Sequence, residues 1–379
     1  MIYFDNSATT KPHEDVLNSY LEVSRQFYGN PSSAHKLGLD AEKLLRRSYQ
    51  QAGQLLSVNP EEIIFTSGGT EGNNSAIKGI AHAYQNRGKH LITTVIEHPS
   101  VLDTFKSLED FGFEVSYLPV DQSGILTIET LKSALREDTI LVSVMHVNHE
   151  LGTIQPIDEI GSLLKNRKDT FFHVDHVQGF GKIKLDFKKN HVDLATISGH
   201  KIHGLNGTGL MYVRDGVRLA PLLHGGGQQN NRRSGTEDLA GCVSLVRAMR
   251  MYIEQNRHQP NHFAELNHYL RKKLAQIPEV KINTPENQAD HIINLSIPGL
   301  MAEVVMRALE ERQIYLSTQS ACSSKQGQES AVLQAIHLPR HLRKSALRVS
   351  FSYQNTLDEI DLFIRVLKKI IDELKKDMR

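Results

Sequence analysis

Between residues 63 and 213 a short apolar run recurs, followed each time by a longer stretch with apolar residues at helical spacing or by a polar connection. The short runs fall at 63–65, 91–95, 113–117, 140–144, 171–175, 194–198 and 209–213, and the first helical stretch at 76–84. Short runs bounded by turn residues predict buried strands, and apolar residues returning every three or four positions predict helices. Strands interleaved with helices predict an α/β domain with a mainly parallel sheet. Ligands of such sheets sit beyond the C-terminal ends of the strands. Thr66, Glu97, His98, Asn148, Asp175 and Ser198, at or just past those ends, are therefore the first residues to consider.

Beyond Gly241 the pattern turns helical to about residue 255, and the polar stretch 255–262 marks a boundary. A smaller α+β domain is expected after it, with helices at 263–274, 302–312 and 357–375 and a strand at 291–295. The expected organisation is an N-terminal segment (1–15) packing with the small domain, a large domain (16–258) and a C-terminal domain (259–379). There is no internal repeat or low-complexity tract.

Charge and cysteine content exclude several classes. Forty-four basic against 43 acidic residues leave a formal net charge of +1, too little to draw a nucleic acid or a membrane surface. No stretch approaches the roughly 20 apolar residues that span a bilayer, and the start shows no basic segment with an apolar run. A soluble, unprocessed, cytoplasmic protein is expected. The two cysteines, Cys242 and Cys322, have neither metal-ligand spacing nor the number for a disulfide framework, so no metal site is expected.

The run 171–175 ends on Asp175. A carboxylate at the end of a buried strand needs a partner, because burying an unpaired charge is costly, and a protonated pyridine nitrogen is a good one. The run 194–198 is followed by Gly199-His200-Lys201, where a lysine amine could form a Schiff base with an aldehyde cofactor. Alone, the pair is weak evidence, and its plain reading is a strand-end solvent aspartate with a surface lysine. Ser67-Gly68-Gly69-Thr70-Glu71 lies between a strand and a helix, so free N–H groups there could bind a phosphate, although an ordinary glycine-rich turn reads the same way. Cys322 sits in a polar, small-residue stretch (318–328) typical of a loop, where a thiol has access to substrate. Cys242 lies in an apolar helical context, as a buried structural thiol does.

The flanking residues decide between these readings. Tyr3-Phe4-Asp5-Asn6-Ser7-Ala8-Thr9-Thr10, Tyr28-Gly29-Asn30-Pro31-Ser32-Ser33-Ala34-His35 and Phe65-Thr66-Ser67-Gly68-Gly69-Thr70-Glu71 come first. Glu97-His98, Met145-His146-Val147-Asn148, His173-Val174-Asp175-His176-Val177-Gln178 and Ser198-Gly199-His200-Lys201 follow, then Arg233-Ser234-Gly235-Thr236 and Ser320-Ala321-Cys322-Ser323-Ser324. In this order and spacing the chain resembles the aminotransferase class V group of fold-type I pyridoxal phosphate enzymes, and within it the cysteine desulfurases. The resemblance covers nearly the whole length. It implies a fold-type I, pyridoxal 5'-phosphate-dependent transferase that converts L-cysteine to L-alanine. The sulfur would pass as a Cys322 persulfide to an acceptor protein, an iron–sulfur scaffold or a thiolation enzyme.

The resemblance also implies site roles. Lys201 would hold the cofactor and remove the substrate's α-proton, Asp175 would meet the ring nitrogen, and His98 would stack on the ring and move protons. Gln178 would reach the ring hydroxyl oxygen, and Gly69, Thr70, Ser198 and His200 the phosphate. Thr236 would reach the phosphate of a neighbouring subunit, which makes the enzyme a homodimer. Arg348 would hold the α-carboxylate, and Asn30 would also bind substrate. Two positions depart from the pattern. His149 stands where the family carries a second asparagine that contacts the ring oxygen, and His176 where a small residue is usual; both are expected close to the ring. Other class V reactions, such as selenocysteine lysis or transamination, and an inert partner-binding homologue are the alternatives.

Overall fold

A computed structural model describes residues 1–318 and 329–377. The chain opens with β1 (Ile2–Tyr3) and two helices, α1 (Glu14–Gln26) and α2 (Lys36–Leu56). The histidines before them are caps: the His13 ring accepts the N–H of Asp15 and the His35 ring that of Gly38. The alternating region forms β2 (Ile63–Thr66), α3 (Gly69–Tyr84), β3 (His90–Thr94), α4 (Pro99–Glu109), β4 (Glu114–Leu118) and α5 (Ile128–Ala134). It continues with β5 (Thr139–Met145), α6 (Ile157–Leu164), β6 (Phe171–Asp175), β7 (Leu194–Ser198) and β8 (Gly209–Val213). After it come α7 (Leu239–His258), α8 (His262–Leu274), β9 (Lys281–Ile282), β10 (Ile292–Ser296), α9 (Ala302–Glu310) and β11 (Ile314–Tyr315). The last elements are α10 (Ala331–Ala335), α11 (Arg340–Arg343), β12 (Ala346–Ser350) and α12 (Leu357–Asp377).

Seven strands form one sheet in the order β2-β8-β7-β6-β5-β3-β4, and only β8 runs against the rest. The expected mainly parallel α/β sheet is thus present. Successive side chains of a strand point to opposite faces, and the core divides accordingly. Ile92, Val142, Val174 and Leu210 join the apolar cluster that includes Val16, Leu45, Leu245 and Met249 from α1, α2 and α7. Leu91, Leu141 and Met211 join the cluster with Ile77, Ile80, Val101 and Phe105 from α3 and α4. Helices therefore cover both faces, which is why β3, β5, β6, β7 and β8 are buried along their whole length while β4, at the edge, is not.

A second, antiparallel sheet has the order β12-β10-β9. α12 lays Ile360, Phe363, Ile364, Leu367, Ile370 and Ile371 against it, the i, i+3, i+4 stripe of a one-sided helix. The N-terminus belongs to this cluster. β1 pairs in parallel with β11, and the Phe4 ring stands edge-on to Phe351 and Phe363 at 5.6 and 5.7 Å. Residues 5–11 then run back toward the large sheet, where Thr10 N–H donates to the His200 carbonyl at 2.8 Å.

Candidate active site

The β2–α3 turn is shaped by glycine. Gly68 has φ 144°, a conformation L side chains rarely adopt, and a Cβ on the facing Gly209 would lie 2.6 Å from the Gly68 Cα. The turn leaves α3 without a side-chain cap, and the N–H groups of Gly69 and Thr70 meet no acceptor among the described residues. Ser198, at the end of β7, turns its hydroxyl to the same place, and that buried Oγ has no partner either. Free N–H groups, a helix N-terminus and an unused hydroxyl make an anion cradle.

Asp175 ends β6 at the C-terminal edge of the sheet. Its Oδ1 accepts the N–H of Val177 at 3.0 Å and its Oδ2 the amide of Asn73 at 2.8 Å. Burial pushes its carboxyl above the ordinary range, against these two bonds and the charges of His149 and Lys201. The second hydrogen of the Asn73 amide goes to Ser100 Oγ at 2.9 Å, and Ser100 Oγ meets Nδ1 of His98 at 2.9 Å. His98 caps α4, and its Nδ1 also accepts the N–H of Ser100 at 3.1 Å. A nitrogen that accepts a backbone N–H carries no hydrogen, so the proton of the neutral ring sits on Nε2. Burial, with His149, Lys201 and His200 nearby, lowers the His98 pKa to about 3, so the ring is neutral.

Lys201 closes a single 3-10 turn after β7. Its Nζ donates to the carbonyls of Ser7 at 2.5 Å and Ala8 at 2.7 Å, and Gln178 donates to the Ser7 carbonyl at 3.0 Å. The N-terminal segment thus walls the site above the lysine. The His200 ring lies 3.3 Å from Thr9 Oγ1, and burial together with Lys201 lowers its pKa to about 4.

Arg348 is on β12, the edge strand of the small sheet, yet it is only 1% exposed. Its Nη1 donates to the His149 carbonyl at 2.7 Å and its Nη2 to Asp5 at 3.0 Å, while Nε has no partner among the described residues. The Nε edge of the guanidinium is therefore left for a ligand. His149 is held between this arginine and the ring of His98, which it meets edge-on with centroids 5.4 Å apart.

These residues share one cavity of about 230 Å³. Gly69, Thr70, His98, His149, Asp175, Gln178, Ser198, His200, Lys201 and Arg348, all expected from the sequence, lie on its wall. Two others lie elsewhere: Asn30 is exposed and away from the cavity, and Thr236 lines a separate hollow with Ser67, Arg233 and Cys242. Cys322 lies outside the described residues. His176 is not on the cavity wall. It stacks on His146 with 2.9 Å between their Nδ1 atoms and turns its ring toward Phe180 and Phe187, so the core holds its bulk. A larger hollow of about 590 Å³, lined by Arg46, Tyr49 and Arg232 among others, has neither the lysine nor the aspartate.

Sequence reasoning missed Ser7, Asn73 and Ser100 on this wall. Asn73 could have been found, since it falls one turn into the helix that follows the glycine-rich loop; Ser7 and Ser100 leave no such mark. Five lining residues, Ser7, Asn73, His149, Ser198 and Arg348, carry buried polar atoms with no partner among the described residues. Buried polar groups are normally satisfied, so such a concentration marks a ligand site. Among the described residues no cluster of three or more metal-ligating side chains is present, and no helix is long and apolar enough to cross a membrane.

The profile of the family described as aminotransferase class-V matches residues 2–363. The NifS/IcsS protein homolog of Lactobacillus delbrueckii subsp. bulgaricus is 45% identical, over 99% of this chain and 98% of its own. The cysteine desulfurase IscS of Clostridium botulinum is 40% identical, over 99% and 95%. A solved NifS-like protein superposes with a TM-score of 0.92 at 37% identity, covering 98% of this chain and 99% of that one. With a glycine-rich anion cradle, a buried aspartate and a strand-end lysine on one wall, and a family match over nearly the full length, this chain belongs to the aminotransferase class-V family.

Proposed function

We propose that this protein is a cysteine desulfurase that converts L-cysteine to L-alanine and takes the sulfur onto Cys322. The family's cofactor is pyridoxal 5'-phosphate, and the residues present fit it. The orphaned Ser198 Oγ and the free N–H groups of Gly69 and Thr70 suit a phosphate. Asp175 suits a protonated ring nitrogen, and Lys201 an aldehyde. The observation that carries the reading is this convergence of cradle, carboxylate and amine on one cavity. When bound, the cofactor supplies an electron-withdrawing ring that stabilises a carbanion at the substrate Cα.

The chain's own residues do the rest. Asp175, ionised beside a cation, keeps the ring nitrogen protonated. The unpartnered Nε edge of Arg348 grips the α-carboxylate, orienting the Cα proton for Lys201 to remove. His98, neutral and carrying its hydrogen on Nε2, gives the cavity a hydrogen-bond donor rather than a charge. The overall change balances without an outside oxidant: the thiols of L-cysteine and Cys322 become L-alanine and a Cys322 persulfide. The substrate Cβ is reduced while the sulfur is oxidised.

In the same reading the enzyme is a cytoplasmic homodimer in which Thr236 serves the partner's phosphate site, and Asn30 is assigned to substrate. The persulfide passes to an acceptor protein, an iron–sulfur scaffold or a thiolation enzyme. The chain divides into 1–15, 16–258 and 259–379, a division supported by the separate apolar cluster that joins Ile2 and Phe4 to residues 263–371. The test is a pulse of L-cysteine without any keto acid, with alanine measured and peptides mapped by mass spectrometry. Alanine and added sulfur on the Cys322 peptide are expected. Alanine formed at the parent rate by Cys322→Ser, or sulfur on the Cys242 peptide, would overturn the proposal.

A further inference from the structure

Residue 149 is where this chain departs from the asparagine motif. His149 is 6% exposed and Glu150 3%. Nε2 of His149 lies 3.6 Å from Oε1 of Glu150, and the other oxygen of that carboxylate takes the Ser330 hydroxyl at 2.5 Å. Nδ1 of the same ring is buried and has no partner among the described residues. The carboxylate stands at ion-pair distance from the Nε2 side, beyond hydrogen-bond range, and an orphaned buried nitrogen in a residue on a cavity wall is a cost unless a ligand answers it.

We infer that Glu150 is a positioning residue for His149: it holds the Nε2 side and so makes Nδ1 the polar atom this chain presents to the bound cofactor in place of an asparagine amide. The inference rests on the cofactor assignment of the proposed function. Burial alone would raise the Glu150 carboxyl, but the nearby His149, the bond from Ser330 and the charge of Arg348 hold it below the ordinary range. The other groups facing His149 come from four further places in the chain. The His98 ring stands edge-on from the start of α4. Asp175, at the end of β6, feels the charge of His149. Arg348 on β12 donates to the His149 carbonyl, and Lys201 shares the cavity.

A double-mutant cycle of parent, Glu150→Gln, His149→Asn and the combined variant separates this role from a structural one. Each protein is stripped and titrated with pyridoxal phosphate, and the visible absorption of the loaded form is followed against pH. Glu150→Gln should weaken cofactor binding roughly 5- to 10-fold in the parent, as loss of a buried charge that orients a ring does. In the His149→Asn background the same change should cost less than about 2-fold, because the ring it orients is gone. The absorption titration of the loaded form should move to lower pH in Glu150→Gln, which removes a negative charge from the site, and the absorption band should shift in His149→Asn, which changes the polar atom offered to the cofactor. Equal effects of Glu150→Gln in both backgrounds would mean that Glu150 serves only Ser330, and would overturn the inference. So would an absorption profile unchanged by His149→Asn. A parent that binds no pyridoxal phosphate would instead sink the proposed function, and the parent titration alone decides that.

Discussion

Glu97 follows β3 and precedes His98, and it is fully enclosed. Its Oε1 accepts the Thr94 hydroxyl at 2.7 Å and the Met145 N–H at 3.0 Å, while Oε2 has no partner among the described residues. Burial, with some help from the charge of Asp175, raises its pKa from 4.5 to about 8, against those two bonds. The carboxyl is therefore neutral at neutral pH, and Asp175 does not share its surroundings with a second negative charge. A carboxyl raised on folding stabilises the fold below its unfolded pKa, and that contribution is lost as pH rises through the folded value. Between the two pKa values the unfolded chain has released a proton that the folded chain keeps, so stability falls by about 1.4 kcal/mol per pH unit. Over the window from 4.5 to about 8 the total is on the order of 5 kcal/mol.

Glu97→Gln retains an Oε1 for Thr94 and Met145 and removes the titration. Its amide, placed where Oε2 lies, adds a cost of about 1–3 kcal/mol that does not vary with pH. The stability of the variant relative to the parent should therefore climb steadily from about pH 5 to about pH 8 and level off above, whatever its starting offset. Urea unfolding of cofactor-free protein, at one protein concentration and a series of pH values, gives the difference curve, and titrations common to both proteins cancel in it. A difference flat to within about 1 kcal/mol across that range would refute the reasoning, because a Glu97 that ionises normally in the fold has no slope to lose.

Three further outcomes follow from the geometry. Ser198→Ala removes a hydroxyl that has no partner in the chain, so it should leave stability unchanged and weaken cofactor affinity about 10-fold, read by titration; unchanged affinity would remove Ser198 from the cradle. Arg348→Lys keeps the charge but loses the planar edge, and kcat/KM for L-cysteine should fall roughly 30- to 100-fold, mainly through KM; a fall confined to kcat would contradict carboxylate binding. Cys242 is 6% exposed and burial pushes its thiol well up, so Cys242→Ser should cost about 1–2 kcal/mol in urea unfolding and leave the rate of alanine formation unaltered.

The strands of the large sheet were legible because helices cover both its faces, which leaves them continuously apolar between polar turns; the run 171–175 matches β6 and 194–198 matches β7. The residues at their C-terminal ends were legible for the same reason, since strand ends in such sheets face the ligand. Lys201 and Asp175 needed only their local context to be picked out. Local sequence does not reveal contacts between distant segments. Arg348 was expected to hold the α-carboxylate, but the partners that fix its guanidinium, Asp5 and the His149 carbonyl, come from segments far away in the chain. The reach of Asn73 to both Asp175 and Ser100 depends on α3, α4 and β6 meeting, and the wall that Ser7 and Ala8 build above Lys201 on β1 pairing with β11 at the far end of the chain. His149 and His176 were alike in sequence, two bulky residues expected beside one ring. Packing separated them: it put one on the cavity wall with its buried Nδ1 unpartnered and stacked the other on His146 within the core, because only the fold decides which side chains find partners and which are left without.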